Sequence, residues 1–369
     1  MSTVLIAGVG MTSFGKHEGV ALEQLGATAL LEALADAGLE PSEIDAAYSS
    51  NVLGGGAAGQ RVLERVGLLG IPVVNVENAC ASGSTAVHLA TAAIASGSVD
   101  AVVVLGVERM TGLFQGGITL DRSDRPTSIG LTMPAIYALW ADAYAHRYGV
   151  PVEDLARISV KNRRYGAANP LAMFRSEVTA DEVLASKAVA DPLTLLQCCA
   201  NSDGAAALVL VGDRLAARFP GAARIAGTGL SSGRPIGFDT DLARLDLSRR
   251  SAEQAYRAAG LGPSDVAVAE IHDAFTIGEV LATEAIGLAD EGRALVDDLV
   301  PINVSGGLLS KGHPVGATGV AQVVELARQV TASAGDRQVD GARVGIAHTV
   351  GGGVGTLEAI ASGTVIVSV

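Results

Sequence analysis

One cysteine at the start of a predicted helix is the residue of this chain best placed for nucleophilic chemistry. Cys80 follows a short β-branched run at 73–76, and a segment of small residues with helical character continues to about Ser96. Unpaired backbone N–H groups and the helix dipole favour an anion there, which predicts a lowered thiol pKa and a thiolate nucleophile. The alternative is a small cysteine packed at the junction of strand and helix.

Composition narrows the class of protein. Of the 369 residues, 49% are hydrophobic but only 4% are aromatic, and 46 are glycine. Small aliphatic side chains favour close packing of helices on a sheet, as in an α/β protein, and the length predicts two domains or two fused halves. The net charge of −13 excludes nucleic acid and anionic membranes as main partners, because both need a basic surface.

The cysteine content and the amino terminus predict the compartment. Three cysteines, two of them adjacent at 198–199, make neither a disulfide framework nor a zinc-binding spacing, so we expect no metal and a reducing environment. The amino terminus lacks a basic segment, its apolar run is too short for a signal peptide, and no window approaches ~18 uninterrupted apolar residues. These features predict a cytoplasmic protein without a membrane partner.

Strands and helices alternate in the hydrophobic pattern around Cys80. We expect a helix over 22–37 that ends at Gly38, and a second helix near 134–148. The predicted strands lie at 4–10, 46–51, 99–106 and within 201–211.

Two blocks of sequence occur twice, in the same order. Residues 37–44 are echoed by 259–266, and residues 80–87 are echoed by 313–320. The second pair places Cys80 and His313 at equivalent helix starts. Related by a pseudo-two-fold axis, those two helix ends would face one another, which favours the reactive interpretation of the cysteine.

The repeat divides the chain into two similar α/β halves. We expect them to span 1–220 and 221–369. The first half carries an inserted region near 111–190, where the charge and tyrosine content rise.

Five short motifs resemble those of the thiolase superfamily, most closely its sterol-carrier-protein-type and archaeal branch. They are Asn78-Ala79-Cys80-Ala81-Ser82-Gly83, His272-Asp273-Ala274-Phe275, Asn303-Val304-Ser305-Gly306-Gly307, Gly312-His313-Pro314-Val315-Gly316-Ala317-Thr318-Gly319 and His348-Thr349-Val350-Gly351-Gly352-Gly353. The match covers nearly the whole chain. It implies the thiolase fold, in which two βαβ-rich halves form a layered αβαβα sandwich with an inserted loop domain.

The resemblance implies a role for each residue of the site. Cys80 would accept the acyl group, and His313 would act as its general base and then help to hold the thioester oxygen. His272 occupies the place where many thiolases have an asparagine that positions an oxyanion-hole water. Gly351 would form a second oxyanion hole with the backbone N–H of Cys80. A thiolate needs a nearby base, and acyl transfer needs donors aimed at the developing charge; the alternative for both histidines is a structural role in turns.

Two positions depart from the family pattern. Thr349 stands where biosynthetic and degradative thiolases carry a second cysteine, and Ala274 stands where sterol-carrier-type enzymes carry theirs. A hydroxyl is far too weak a base to replace a tuned thiolate, so the acyl-transfer step is supported and the carbon–carbon step is not. The sequence leaves open whether His348 or His272 transfers that proton, and the cysteines at 198–199 are interpreted as structural.

The inserted region resembles the family's loop domain, which binds coenzyme A. It holds nine Lys or Arg and eight Asp or Glu, a balance of +1 that suits a ligand with phosphates. Arg163 and Arg164 form its densest basic pair, and an ordinary solvated helix is the alternative for each. Met133 is a candidate for the acyl pocket, with core packing as its alternative.

Three functions remain open. The first is an acyltransferase that acts on acyl-CoA, by Claisen condensation or thiolysis, through an acyl-cysteine and without a permanently bound cofactor. The second is a non-catalytic or partner-dependent acyl-CoA-binding subunit. The third is a retro-aldolase. It is ranked last because such enzymes are expected to use active-site tyrosines and none lies in 270–275, 303–319 or 348–355, and because Cys80 is retained. The resemblance also implies a homodimer or homotetramer, and a small zinc-ribbon/OB-fold partner protein.

Overall fold

The computed structural model describes residues 3–113, 118, 125–234, 240–297, 299–352 and 357–369. Its strands are β1 (Leu5–Met11), β2 (Ala46–Ser50), β3 (Val73–Val76), β4 (Ala101–Glu108), β5 (Ala188–Ala190), β6 (Leu193–Thr194), β7 (Gly204–Val211), β8 (Arg224–Ser232), β9 (Val268–Ile271), β10 (Val344–Gly351) and β11 (Ala361–Ser368). Its helices are α1 (Leu22–Ala37), α2 (Ala58–Arg65), α3 (Ser82–Ala95), α4 (Arg125–Ser128), α5 (Met133–Tyr148), α6 (Ala156–Ala167), α7 (Ala180–Ala185), α8 (Asp246–Ala259), α9 (Thr276–Ala285), α10 (Gly307–Lys311) and α11 (Thr318–Val330).

A nine-stranded mixed sheet runs through both halves in the order β3-β2-β4-β7-β1-β8-β11-β10-β9. The order of the first half is mirrored in the second across the β1–β8 junction, where Leu5 pairs with Arg224. In both halves the first strand leads into a helix, α1 or α8, that ends at a left-handed glycine, Gly38 or Gly260. A short 3₁₀ turn and a strand follow in each case. The two similar α/β halves are therefore confirmed.

The helices lie in three layers, separated by the two halves of the sheet. Helix α1 packs on β1 and β7, and α8 packs on β8 and β11, so each covers the outer face of its own half. Helices α3 and α11 contact strands of both halves as well as each other, which places them between the halves. This is the expected αβαβα sandwich, with two buried central helices.

The central helices cross at two glycines. A Cβ on Gly83 would lie 2.8 Å from the backbone N of Val320, and a Cβ on Gly319 would lie 2.5 Å from the backbone N of Ser84. No side chain fits at either position, so the two backbones touch directly. The contact is reciprocal, which identifies Gly83 and Gly319 as counterparts in the repeat.

That contact corrects the expected alignment of the repeat. Helix α3 begins at Ser82 and α11 begins at Thr318, so the counterpart of Cys80 is Gly316 and not His313. The expected alignment of the two halves was wrong by three residues. The register of the repeat is set by the point where the two helices cross, and not by the similarity of the two blocks of small residues. His313 lies on the loop before α11.

The inserted region covers the second half. Its helix α5 buries Trp140 and Tyr144 in one apolar cluster with Phe275 and Ile277 of the second half. The Lys161 side chain of α6 reaches the second half as well, by donating to the backbone carbonyl of Ile302 at 3.0 Å. Among the described residues, no helix combines the length and apolar character needed to cross a bilayer.

Candidate active site

The turn between β3 and α3 presents Cys80 at the amino end of a central helix. Ala79 has a φ of +47°, in the left-handed region that L residues rarely adopt, and it redirects the chain just before the cysteine. The hydroxyl of Ser82 holds this turn by donating to the carbonyl of Ala79 at 2.6 Å and accepting the N–H of Asn78 at 2.7 Å. Cys80 therefore lies at the amino end of α3, two residues before its first residue, Ser82.

His313 lies against the sulfur of Cys80. Its Nε2 is 3.3 Å from Sγ, and its Nδ1 is 2.7 Å from the hydroxyl oxygen of Thr318. That hydroxyl donates its single proton to the carbonyl of Pro314 at 3.1 Å, so it accepts the Nδ1–H of His313. The tautomer assigned from these bonds leaves the Nε2 lone pair facing the thiol. The pair can pass a proton from sulfur to imidazole.

Burial sets the resting charge of this pair. Burial raises the pKa of the Cys80 thiol to about 12, although hydrogen bonds from the backbone N–H groups of Gly352 and of Cys80 itself act to lower it. Burial also lowers the pKa of His313 to about 3. The expected lowering of the thiol pKa at the helix start is therefore wrong, since loss of hydration outweighs the backbone donors. Thiol and imidazole are both neutral at pH 7, so a thiolate could form at Cys80 only by transfer of its proton to His313.

His272 completes a cluster of three donor side chains. Its ring is 1% exposed, and its centroid lies 5.1 Å from that of His313 in an edge-on arrangement. One donor atom each from Cys80, His272 and His313 lies within 4.8 Å of the other two, the one such group able to hold a metal in the described part of the chain. Burial and the neighbouring histidines hold the pKa of His272 well below its usual range, and its buried Nδ1 has no hydrogen-bond partner among the described residues. The ring is a neutral polar group beside the sulfur.

Two glycines at the end of β10 border the sulfur. A Cβ on Gly351 would lie 2.4 Å from the backbone N of Cys80, so only glycine lets the strand approach the helix start this closely. The next residue, Gly352, directs its N–H at the sulfur of Cys80. Sequence reasoning named Gly351 and missed Gly352, although the three consecutive glycines were a signal for it. Backbone donors thus converge where an oxyanion would develop.

Thr349 and His348 lie on opposite faces of β10, as successive strand residues must. The hydroxyl of Thr349 shares a 2.5 Å hydrogen bond with that of Ser84 on the central helix α3. The Nε2 of His348 lies 2.9 Å from the hydroxyl of Ser248 at the start of the outer helix α8, and burial lowers the pKa of this histidine to about 3. The structure therefore places Thr349 on the face of the strand towards α3 and does not bring His348 to the sulfur.

The candidate coenzyme A residues lie on the inserted helices. The guanidinium of Arg163 stacks over the ring of Phe174 at 4.4 Å, and that of Arg164 lies 5.6 Å from the ring of Tyr165. Met133 packs at the edge of the apolar cluster that contains Tyr137. Both arginines therefore contact neighbouring aromatic rings of the same region.

Tyr137 is a residue of the site that sequence reasoning missed. It belongs to the inserted region and contacts the motif at 272–275. Its ring stacks on Phe275 with a centroid distance of 4.3 Å. Burial raises the pKa of Tyr137, and negative charge on Cys80 or Cys199 raises it further, so the phenol lies near both thiols. No local pattern around Tyr137 could reveal this, because only the packing of α5 on the second half brings it there.

Glu108, also missed, ties the two halves together beside the site. From the end of β4 its carboxylate accepts the N–H groups of Val52 at 2.8 Å, Leu53 at 3.0 Å and Gly316 at 3.1 Å. These bonds fix the loop that carries His313. The sequence signal for this role was a glutamate at the end of an otherwise apolar strand.

Family models account for most of the chain. The model described as the thiolase N-terminal domain matches residues 4–214, and the model described as thiolase C-terminal domain-like matches residues 229–361. The chain belongs to the thiolase family. Its likeness to curated thiolases extends over nearly its full length.

Three curated relatives are similar to this thiolase over most of its length. Benzoylsuccinyl-CoA thiolase subunit BbsB of Thauera aromatica is 38% identical, with 95% of each chain covered. An acetyl-CoA acetyltransferase of Methanothermobacter thermautotrophicus is 37% identical, over 96% of this chain and 98% of that protein. Human sterol carrier protein 2 is 37% identical over 94% of this chain and 70% of that one. These relatives confirm the sterol-carrier-type and archaeal resemblance.

A similar solved structure is that of a protein named the Ltp2-ChsH2(DUF35) aldolase. It superimposes with a TM-score of 0.85 at 27% identity, covering 99% of this chain and 97% of that one. A thiolase fold like the present one therefore also occurs in a protein named as an aldolase.

Proposed function

We propose that this chain is a thiolase-type acyltransferase that forms an acyl-Cys80 intermediate from an acyl-CoA. The observation that carries the proposal is the hydrogen-bonded series from Cys80 through His313 to Thr318. In the first step Nε2 of His313 takes the thiol proton as the sulfur attacks the acyl carbonyl. The backbone N–H groups of Cys80 and of Gly351 or Gly352 stabilise the oxyanion. Collapse of the tetrahedral intermediate breaks the bond to coenzyme A, whose sulfur takes the proton from His313 and departs as the thiol, and leaves the thioester on Cys80.

His272 serves the second substrate in this proposal. Its neutral ring lies beside His313, so it can position a water or hold the oxygen of an acetyl thioester enolate directly. Thr349 remains a candidate for the same region, whereas His348 is separated from the sulfur by its contacts with α8. The direction can be condensation or thiolysis, since both share the acyl-cysteine.

We assign coenzyme A binding to the inserted region, 111–190, which lies within the first of two domains at 1–220 and 221–369. Its balanced charge within an acidic chain supports this, because phosphates favour the least acidic surface. Arg163 and Arg164 would meet the phosphates, and Met133 would line the acyl channel. Coenzyme A esters are then substrates, and no cofactor is bound permanently.

Assembly is the next part of the proposal. The Thauera relative is named as a subunit, and the name of the solved aldolase joins Ltp2 to ChsH2(DUF35). These names support assembly with a second protein; following the family resemblance, we propose a homodimer or homotetramer that works with a small zinc-ribbon/OB-fold partner. All three cysteines are free thiols, which supports a reducing cytoplasm.

Intact-protein mass spectrometry after exposure to acetyl-CoA or acetoacetyl-CoA tests the proposal. We expect one acetyl group on the native chain, none on Cys80→Ala, and an unchanged adduct on the control Cys198→Ala. An unmodified native chain, or an undiminished adduct on Cys80→Ala, would overturn it. Thiolysis of acetoacetyl-CoA by the purified chain alone would exclude the non-catalytic subunit.

Tyr137 favours a second candidate, retro-aldol cleavage of a β-hydroxyacyl-CoA. The low rank of this function depended on the retention of Cys80 and on the lack of a tyrosine in the motifs, and the packing of α5 supplies a tyrosine beside Phe275. Its raised pKa keeps the phenol protonated, as a donor for the developing enolate must be. Product analysis with a β-hydroxyacyl-CoA should then show an aldehyde or ketone that is lost in Tyr137→Phe. Absence of that product from the native chain would reject the candidate.

A further inference from the structure

A short segment at 198–201 joins the two histidine motifs of the site. Cys198 forms an antiparallel bridge with Phe275, and the N–H of Cys199 donates to the carbonyl of Ala274 at 2.8 Å. Two residues later Asn201 forms a parallel bridge with His313. Cys199 therefore lies between the motif at 272–275 and the general base.

The bridge puts Cys199 directly opposite Ala274. Opposed residues of an antiparallel pair project to the same face, with Cβ atoms about 4.5–5.5 Å apart. Ala274 stands where sterol-carrier-type thiolases carry their second cysteine, and its methyl group leaves room in a site where it is 7% exposed. The thiol of Cys199 thus emerges beside the position from which the usual thiol is missing.

The surroundings of Cys199 are those of the acyl-accepting site. Burial first, and then negative charge on Cys198, Cys80 and Asp273, raise the pKa of Cys199 well above its usual range. Charge on Cys80 and Cys199 acts on the Tyr137 phenol in the same way. The two thiols and the phenol therefore lie near one another, and one ring nitrogen of His272 lies within 4.8 Å of the Cys80 sulfur.

We propose that Cys199 is the second thiol of this thiolase, exchanging a proton with the α-carbon of the acetyl unit. The inference rests on the proposed function. In cleavage, Cys80 takes the acyl group and the acetyl-CoA enolate leaves; the S–H of Cys199 breaks as a C–H bond forms, giving acetyl-CoA and a Cys199 thiolate. That thiolate takes the proton of the incoming coenzyme A thiol, whose sulfur then attacks the acyl-Cys80, and the departing sulfur of Cys80 regains its proton from His313. Condensation reverses these steps.

The test separates acyl transfer from α-proton transfer. Acylation of Cys80 is followed by intact-protein mass spectrometry, and α-proton transfer by uptake of solvent deuterium into the methyl group of acetyl-CoA. Cys199→Ala should keep the acyl-Cys80 adduct and lose deuterium uptake by about 10²-fold or more. The control Cys198→Ala should keep both, because its thiol donates to the carbonyl of Thr194 at 3.2 Å.

A rescue variant distinguishes chemistry from packing. Adding Ala274→Cys to Cys199→Ala returns a thiol to the opposed position and should restore deuterium uptake. Retention of uptake by Cys199→Ala would overturn the inference, and so would loss without rescue or an equal loss in Cys198→Ala. A native chain that acylates but takes up no deuterium would also overturn it, while leaving acyl transfer intact. A native chain that does not acylate would instead overturn the proposed function.

Discussion

The two central helices, α3 and α11, cross at equivalent glycines but are preceded by different segments. Helix α3 is preceded by a tight turn that ends in Cys80, and its counterpart α11 is preceded by a longer loop that starts from Gly312 and carries His313. The shared part is the glycine crossing, where packing admits no side chain. The divergent part lies just outside the helix, where the loop is free to change. A duplicated scaffold can therefore place a cysteine at one helix start and a histidine before the other, which is the division of roles proposed for Cys80 and His313.

Removing the base should produce the largest effect on this division of roles. In His313→Ala the thiol of Cys80 loses the ring nitrogen that lies 3.3 Å from its sulfur, so we expect acylation by acetyl-CoA to slow by about 10²–10⁴-fold. Rapid-quench mass spectrometry of the acyl-enzyme measures the rate, with exposed His146→Ala as the control.

The pH dependence of Cys80 acylation tests the same division of roles between Cys80 and His313. His313, with a pKa lowered to about 3, stays neutral between pH 6 and 9, so native acylation should change little over that range. In His313→Ala the thiol, with a pKa raised to about 12, must ionise first, so the rate should rise about tenfold per pH unit. A pH-independent rate in the variant would show that another base serves Cys80.

The shared crossing should respond alike from either side. Gly83→Ala and Gly319→Ala each force a methyl group against the other helix backbone, which we expect to destabilise the fold by about 1–3 kcal/mol or more. Urea unfolding measures the change, and Gly56→Ala, where a Cβ meets nothing within 4 Å, is the control. Tolerance of one substitution but not the other would break the proposed symmetry.

Local sequence signals predicted the elements well. Helix α1 was expected over 22–37 and lies there, and the strand expected at 46–51 ends one residue earlier. These elements depend on periodicity and on a terminal glycine, both of which are local. The strand expected at 99–106 instead covers Ala101–Glu108, because its end is set by pairing with β7.

The site was predictable only where a motif marks it. Cys80, His313 and His272 were found and are brought together. Tyr137 and Cys199 were not assigned to it, because each reaches the site through tertiary pairing with residues 274–275. Burial also reversed the expected thiol pKa, and burial is not readable from a helix start.

Thr318 tests how the second helix start orients its base. Thr318→Val removes the acceptor of the His313 Nδ1–H and leaves a buried donor unpaired, which costs about 1–3 kcal/mol. We expect acylation of Cys80 to slow by about tenfold as the imidazole loses its fixed tautomer. Thr318→Ser keeps the hydroxyl and should retain the native rate. A slow Thr318→Ser would indicate that packing, and not the hydrogen bond, is responsible.

The smallest expected effect is on stability at the turn before Cys80. A substitution to glycine there should change stability in the opposite direction from the same substitution at the counterpart position before α11. Ala79 has a left-handed φ, and its counterpart Val315 has no positive φ and is 2% exposed. Ala79→Gly should relieve about 1–2 kcal/mol of strain, offset by about 0.4–1 kcal/mol from the more flexible unfolded chain. Val315→Gly should destabilise by about 1.5–3 kcal/mol, because it loses a buried side chain. Thermal unfolding should therefore move up for the first variant and down for the second. If the unfolding temperatures of both variants moved in the same direction, the turn before Cys80 would not be strained. The length of the preceding loop alone would then distinguish the start of α3 from that of α11.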